Sequence, residues 1–567
     1  MNRAAIDLLA TSLERTLAAT SEGVFVPGIL RSIVVASLTS VLLGPGAAAQ
    51  ARTPTWTHGA TCYEVFVRSF ADADGDGIGD LRGLTARLDY INDGNPHSRH
   101  SLGARCIWLM PVAASPSYHG YDVTDYYRVN PQYGSNADFQ RFMSAAHRRG
   151  IRVLVDLVLN HTSDQHPHFV EALHDTTSPY RAWYRWSPTK PGELNPWRQS
   201  NWHRSPIRDE WYYAFFSDHM PDLNYATPAV REEAKRIARF WLVEMNVDGI
   251  RLDAVPYLVE EPGHLVHSAA THALLREFGA YVRRVKPSAY TVGEVSDSTA
   301  PMLTYYPDQL DANFAFEVAD SIIQGVRRGS AAGILPAVLR VQDAVAPDRL
   351  AFFLDNHDQP RVMSDLGGDR GKACVAAFIL LTLPGMPFVY YGDEIGMSGT
   401  KPDERLRTPM QWSSAPGNGF TSGRAWEAAQ PDSQSVTVGQ QDADSASLLA
   451  HYRRLIHLRA TTPALGSGRL VPLRTSDAAV MAFLRRDGSR IALAMVNVGD
   501  RPLSGVQLSS ALASLPAGHW RLRSLLGGED ASDLVVDRDG RVSHYVPLPS
   551  LSPERGYLFE LSPTKTR

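Results

Sequence analysis

Eight short, mostly apolar runs, separated by longer amphipathic stretches, limit what this chain can become. They are Tyr63–Val67, Cys106–Met110, Val153–Val158, Val247–Leu252, Tyr290–Val295, Leu310–Phe316, Ala351–Leu354 and Phe388–Tyr391. Runs of this length suit strands buried in a parallel sheet. Between them, helical spacing of apolar residues is clearest over Asp138–Arg149, Pro228–Met245 and Ser268–Val285. The alternation predicts an α/β fold, a (β/α)8 TIM barrel, with active residues at the C-terminal strand ends.

At 567 residues the chain exceeds one hydrophobic core. The barrel pattern occupies about 52–465. One connection within it is too long for a plain loop. It carries Trp183, Trp186, Trp197, Trp202 and Trp211 and reads as a subdomain of about 162–218, inserted after the third strand. Its aromatic faces suit the C–H surfaces of sugars, although at least half of the rings are needed for the insert's own core. A helix over Leu448–Arg459 follows the barrel. Alternating runs at Val480–Arg485, Ile491–Val496, Trp520–Ser524 and Gly556–Leu561 then predict a C-terminal all-β sandwich over 466–567.

Residues 1–51 read as an export segment. Arg31 precedes an apolar core, Ser32–Leu43, and small residues follow through Ala51. The competing reading is an N-terminal helix of the mature fold. Export predicts a secreted or periplasmic protein with no membrane span once processed. A net charge of −4 gives no reason to expect nucleic acid as a partner. Oligomeric state is not encoded in any motif. Three cysteines are too few for a disulfide framework. Cys62 and Cys106 each open a strand-like run, which favours buried thiols and leaves one bridge open.

The segment Asp72-Ala73-Asp74-Gly75-Asp76-Gly77-Ile78-Gly79-Asp80 starts like a calcium-binding EF-hand loop. Gly83 stands where such a loop ends in Glu, and a strand precedes it, so it is not an EF-hand. Asp72, Asp74, Asp76 and Asp80 with the Ile78 carbonyl still suit Ca²⁺; the alternative is a solvated acidic turn.

Polar residues gather after most of the expected strands. They are Tyr121 and Asp122; Asp156, Asn160 and His161; Arg251 and Asp253; Glu294; and His357 and Asp358. Period 2 puts Arg251 and Asp253 on one face of their strand, where the guanidinium favours an ionised carboxylate. Two carboxylates flanking a bond, one acid and one nucleophile, are what glycoside hydrolysis needs, and Asp253, Glu294 and Asp358 supply them. No zinc-spaced cluster, G-x-S-x-G elbow or phosphate-cradling loop competes.

These motifs, with Gly249-Ile250-Arg251-Leu252-Asp253, Asn356-His357-Asp358 and Met220-Pro221-Asp222-Leu223-Asn224, resemble glycoside hydrolase family 13, the α-amylase family. The resemblance covers nearly the whole mature chain. It implies Asp253 as nucleophile, Glu294 as acid and base, and Asp358 as binder of sugar hydroxyls. Arg251 would position Asp253, and His161 and His357 would bind hydroxyls. Tyr121 would lie beneath the ring, with Asp122 and Arg361 near the pocket. An acid–nucleophile separation of ~5–5.5 Å, hence retention, is expected. The acidic loop resembles the ion loop of the oligo-1,6-glucosidase branch.

Within the family the motifs sit between oligo-1,6-glucosidases and neopullulanases. Arg407-Thr408-Pro409-Met410-Gln411-Trp412 resembles the former, and Asp253-Ala254-Val255-Pro256-Tyr257-Leu258 resembles trehalose synthases. Ala254 after the nucleophile is similar to α-1,4-preferring relatives. The resemblance implies an exported α-amylase acting on starch and maltooligosaccharides. An α-glucosidase or cyclomaltodextrinase-like enzyme comes second, and a trehalose synthase third. The last alternative is a non-catalytic sugar-binding or transporter-associated protein.

Overall fold

The computed structural model describes residues 53–564 except 196 and 262. The proposed export segment lies outside the described residues. Eight parallel strands close into a barrel: β1 Cys62–Val65, β2 Cys106–Leu109, β3 Arg152–Leu157, β4 Gly249–Leu252, β5 Tyr290–Gly293, β6 Ala312–Phe314, β7 Leu350–Phe352 and β8 Met386–Tyr390. Each pairs with its neighbours in sequence, and β8 returns to β1, with Cys62 opposite Phe388 and Glu64 opposite Tyr390. All eight expected strands are present. The sixth is shorter than its apolar run, because Phe316 opens the helix Phe316–Arg328.

The period of 2 sorts each strand into an inner and an outer face. Cys62, Cys106, Trp108, Leu154, Val292, Phe314 and Phe388 fill the interior, and the outer faces pack on the surrounding helices. Cys62 and Cys106 are register partners at the start of β1 and β2 and form a disulfide. That corrects the expectation of buried thiols. Each cysteine opens a strand, the two strands are adjacent at the same level, and both side chains point inward. Cys374 is free.

The helix expected at Asp138–Arg149 spans Asn136–Arg148 and begins with a Ser135–Asp138 capping box. Pro228–Arg239 continues into a π-helical turn, Phe240–Glu244, before β4. The insert after β3 holds a three-stranded sheet in the order Trp186–Ser187, Trp211–Tyr213, Trp202–Arg204. Asp222 fastens it: its carboxylate accepts from Asn160 Nδ2 (3.2 Å) and from the backbone N–H of Phe215 (2.9 Å). No described helix is long and apolar enough to cross a membrane.

After the helix Leu448–Thr461 comes a seven-stranded antiparallel-type sheet built from Arg469–Thr475, Val480–Asp487, Arg490–Asn497, Leu508–Ser509, Gly518–Ser524, Ala531–Val536 and Arg555–Pro563. One face, with Met481, Phe483, Ala494 and Val496, joins the barrel core. The other, with Ala482, Leu484, Leu493 and Phe559, packs under a small second layer that pairs Leu503–Ser504 with Ser550–Leu551.

Candidate active site

At the C-terminal end of the barrel, Arg251 on β4 is fully buried and lies opposite Asp156 on β3. Its Nη1 donates to Asp156 (2.7 Å) and to Asp253 Oδ1 (2.8 Å), and its Nη2 donates to Glu294 Oε2 (2.5 Å). One guanidinium therefore holds three carboxylates from three consecutive strand ends. Glu294 also accepts from the backbone N–H of Ala254 (3.2 Å) and from Ser296 Oγ (2.8 Å). Ala254 adopts a left-handed backbone, φ 48°, ψ 38°. A non-glycine residue there is strained, and such strain clusters at functional sites.

Arg251 does not act on Asp253 alone. Burial pushes the Asp253 carboxyl well above its ordinary range; Arg251 opposes that rise, while Glu294 and Asp156 add to it. The guanidinium favours the charged form of Asp253, but one cation is divided among three anions.

A second charged group comes from β7. His357 is buried between Glu64, whose Oε1 lies 2.6 Å from Nδ1, and Asp358, whose Oδ2 lies 3.2 Å from Nε2. Tyr121 Oη stands 2.6 Å from the same Nε2, and its ring stacks on the imidazole. Burial alone would lower the His357 imidazole, but the two carboxylates lift it to about 10. Burial would likewise raise Asp358; His357 and Arg407 hold it well below the carboxylate range. Arg407 Nη2 reaches Asp358 Oδ1 at 2.7 Å and Asp403 Oδ2 at 3.2 Å. His161 is neutral: burial lowers it to about 4, and its Nε2–H donates to the Tyr121 carbonyl.

These residues line a cleft of about 430 Å³. Asp253, Glu294, Asp358, Tyr121 and His161 all border it, with Trp197, Phe216 and Met220 from the insert and Pro256 and Tyr257 from the loop after β4. Arg251 and His357 lie beneath it, in direct contact with the carboxylates. Two expected residues do not join them. Asp122 turns to Ser115 and Ser117 of its own loop. Arg361, contrary to expectation, is fully buried, stacked on Tyr390, and donates to the carbonyls of Leu406 and Tyr391. Arg407 occupies the place expected of it.

Asp156, Glu64 and Arg407 are parts of the site not assigned a role from the sequence. Glu64 carried a signal, being the lone charge in an otherwise apolar run. Of the insert's rings, Trp183, Tyr184 and Tyr212 are core, while Trp197 is exposed.

In the acidic loop, Asp72, Asp74 and Asp80 offer carboxylate oxygens that all lie within 4.8 Å of one another; Asp76 is outside this trio. A set of hard oxygens this close fits a cation of the Ca²⁺ type. Asp72 Oδ2 also accepts from Gly77 N–H (2.8 Å) and Thr421 Oγ1 (2.5 Å).

The catalytic-domain model of the α-amylase family matches residues 64–468. Over 433 residues, 76% of this chain and 82% of the relative, the protein is 39% identical to α-amylase 3 of Dictyoglomus thermophilum. It is 35% identical to the trehalose synthase/amylase of Mycolicibacterium smegmatis over 487 residues, 76% of this chain and 80% of that one. The crystal structure of an α-amylase from H. orenii superposes with a TM-score of 0.77 at 38% identity, covering 89% of this chain and 100% of that one.

Proposed function

Because the chain belongs to the α-amylase family of glycoside hydrolases, we propose that it is a retaining hydrolase of the α-amylase type. It cleaves α-1,4-glucosidic bonds in starch and maltooligosaccharides. The observation that carries this reading is the single guanidinium shared by Asp253 and Glu294 at the floor of the cleft.

In its ionised form, Asp253 attacks the anomeric carbon while Glu294 gives its proton to the glycosidic oxygen, which leaves with the aglycone. A β-linked glucosyl-enzyme forms. Glu294, now a carboxylate, takes a proton from water, the water oxygen attacks the same carbon, and Asp253 departs. Two inversions restore the α-anomer. Arg251 offsets the charge that returns to Asp253; Asp358, Arg407 and His161, which border the cleft, bind hydroxyls of the glycone above Tyr121, and His357 orients Asp358 and Tyr121 from beneath. Ala254, bordering the cleft, supports α-1,4 preference through its resemblance to α-1,4-preferring relatives.

Asp72, Asp74 and Asp80, joined by Asp76 and the Ile78 carbonyl, would hold a structural Ca²⁺. Residues 1–51 would direct export to the periplasm or outside the cell, and the Cys62–Cys106 bridge suits an oxidising compartment.

The test is product analysis on starch, maltotriose, isomaltose, pullulan and maltose, with NMR of the first anomer released. Mixed α-maltooligosaccharides from starch are expected, and Asp253→Asn should lower kcat by roughly 10⁴-fold or more. A β-anomer as first product would overturn the mechanism. One observation favours a second reading, an α-glucosidase: Arg407 bridges Asp358 and Asp403 across part of the cleft lining, a fixed charged contact beside the carboxylate assigned to the glycone. Glucose alone from short substrates would support that reading, and trehalose from maltose would point to an isomerase.

A further inference from the structure

The two oxygens of Glu294 are held unequally. Oε2 is taken by two donors, Arg251 Nη2 (2.5 Å) and the backbone N–H of Ala254 (3.2 Å). A proton on Oε2 would face both of them, so the proton of the acid belongs on Oε1. Among the described residues, the side chain that meets Oε1 is Ser296, whose Oγ lies 2.8 Å away. Ser296 borders the cleft together with Asp253 and Glu294.

Ser296 is exposed, so its side chain adds nothing to the core. Its backbone is nonetheless fixed on both sides. Before it, Glu294 N–H donates to the Leu252 carbonyl (3.0 Å), the Glu294 carbonyl accepts from Val255 N–H (3.2 Å), and Val295 is fully buried. After it, Asp297 N–H donates to the Val295 carbonyl (2.8 Å), which closes a three-residue turn with Ser296 at its centre. Asp297 Oδ2 in turn lies 3.1 Å from His267 Nε2. With the chain held in this way, one χ angle decides where the hydroxyl points. A short polar side chain set against the oxygen that carries the proton is the arrangement expected of a pre-organised contact.

We propose that Ser296 is a positioning residue for the acid, donating to Glu294 Oε1 and strengthening that bond as the proton leaves. In the first step the C1–O bond breaks, an Asp253 oxygen bonds to C1, and the Oε1 proton passes to the departing oxygen. Oε1 gains negative charge, and a hydrogen bond to a charged acceptor is stronger than one to a neutral acceptor. The contact therefore tightens on the way to the transition state, the condition for accelerating the step. When Glu294 later takes a proton from water the same bond weakens, so the gain is confined to formation of the glucosyl-enzyme. The proposal rests on the reading of Glu294 as the acid of an α-glucan hydrolase.

The test compares kcat/KM on maltotetraose, whose leaving oxygen needs a proton, with kcat/KM on α-glucosyl fluoride, whose fluoride departs without one. Ser296→Ala should lower the first by about ten-fold and the second by less than about two-fold. Ser296→Thr, which keeps the hydroxyl, should recover most of the loss. Equal losses on the two substrates would mark a structural effect and overturn the proposal, as would no loss on either or a threonine variant no better than alanine. Glu294→Gln tests the underlying reading separately: it should cost about a hundred-fold or more on maltotetraose and far less on the fluoride. Equal losses in that variant would overturn the assignment of the acid, whatever the serine variants do.

Discussion

His357 carries its proton through neutral pH because Glu64 and Asp358 take its two nitrogens. A base raised above its unfolded value of ~6.5 contributes stability that is complete below that pH and is lost as pH rises through the folded value, about 10. Glu64→Gln removes one of the two anions and should bring the imidazole titration down by roughly 1–3 pH units, measurable by NMR of the histidine ring. Asp253 works in the opposite direction. Burial raises its carboxyl and only the ionised form attacks, so kcat/KM should fall with decreasing pH through a midpoint above the ordinary ~3.9. A pH–rate profile whose acid limb lies at or below that value would contradict the arrangement.

At the scale of elements, the acidic loop links distant parts of the chain. Asp72 bonds to Thr421, and its N–H donates to the Phe420 carbonyl, so an ion held there would clip the end of the β1 region to a segment some 350 residues later. Chelation should lower the melting temperature, by the equivalent of about 2.7 kcal/mol if the ion is at a hundred times its Kd, and Asp72→Asn should abolish that response. Calorimetric scans with and without chelator measure it.

The elements themselves were largely legible, since buried strands must be apolar and the eight runs stand out. So were Asp253, Glu294 and Asp358, because catalytic carboxylates sit where those runs end. What was not legible depends on which strand lies beside which. The Cys62–Cys106 bridge needs the register of β1 against β2, and the exchange of Arg361 for Arg407 needs the path of a side chain beneath the cleft. The split among the insert's aromatics, Trp183 inward and Trp197 outward, depends on how the insert packs, which composition does not reveal.

Across the whole molecule, the C-terminal sheet is joined to the barrel by more than apolar contact. Arg485, fully buried, donates to the carbonyls of Thr382, Leu465 and Gly468, and Arg459 to those of Leu381, Leu383 and Gly385. Both guanidinium groups meet the C-terminal end of the helix Arg370–Thr382, where cations are favoured. Arg485→Leu would leave several buried acceptors unmet and should cost roughly 2–5 kcal/mol by denaturant melting. Lysine, lacking the planar fork, should not rescue it.

The closure of the barrel also has a consequence in time. β1 pairs with β8, more than 300 residues later, so a nascent chain has Asp253 and Glu294 in hand well before the ring can close. Glu64 meets His357 only across that interval. A ribosome adding about 5–20 residues per second would need tens of seconds to bridge it. Throughout that time the half-made ring exposes open strand edges, and Glu64 at the start of the chain waits for the histidine it will pair with. The contact that completes the site is therefore among the last that a growing chain can make.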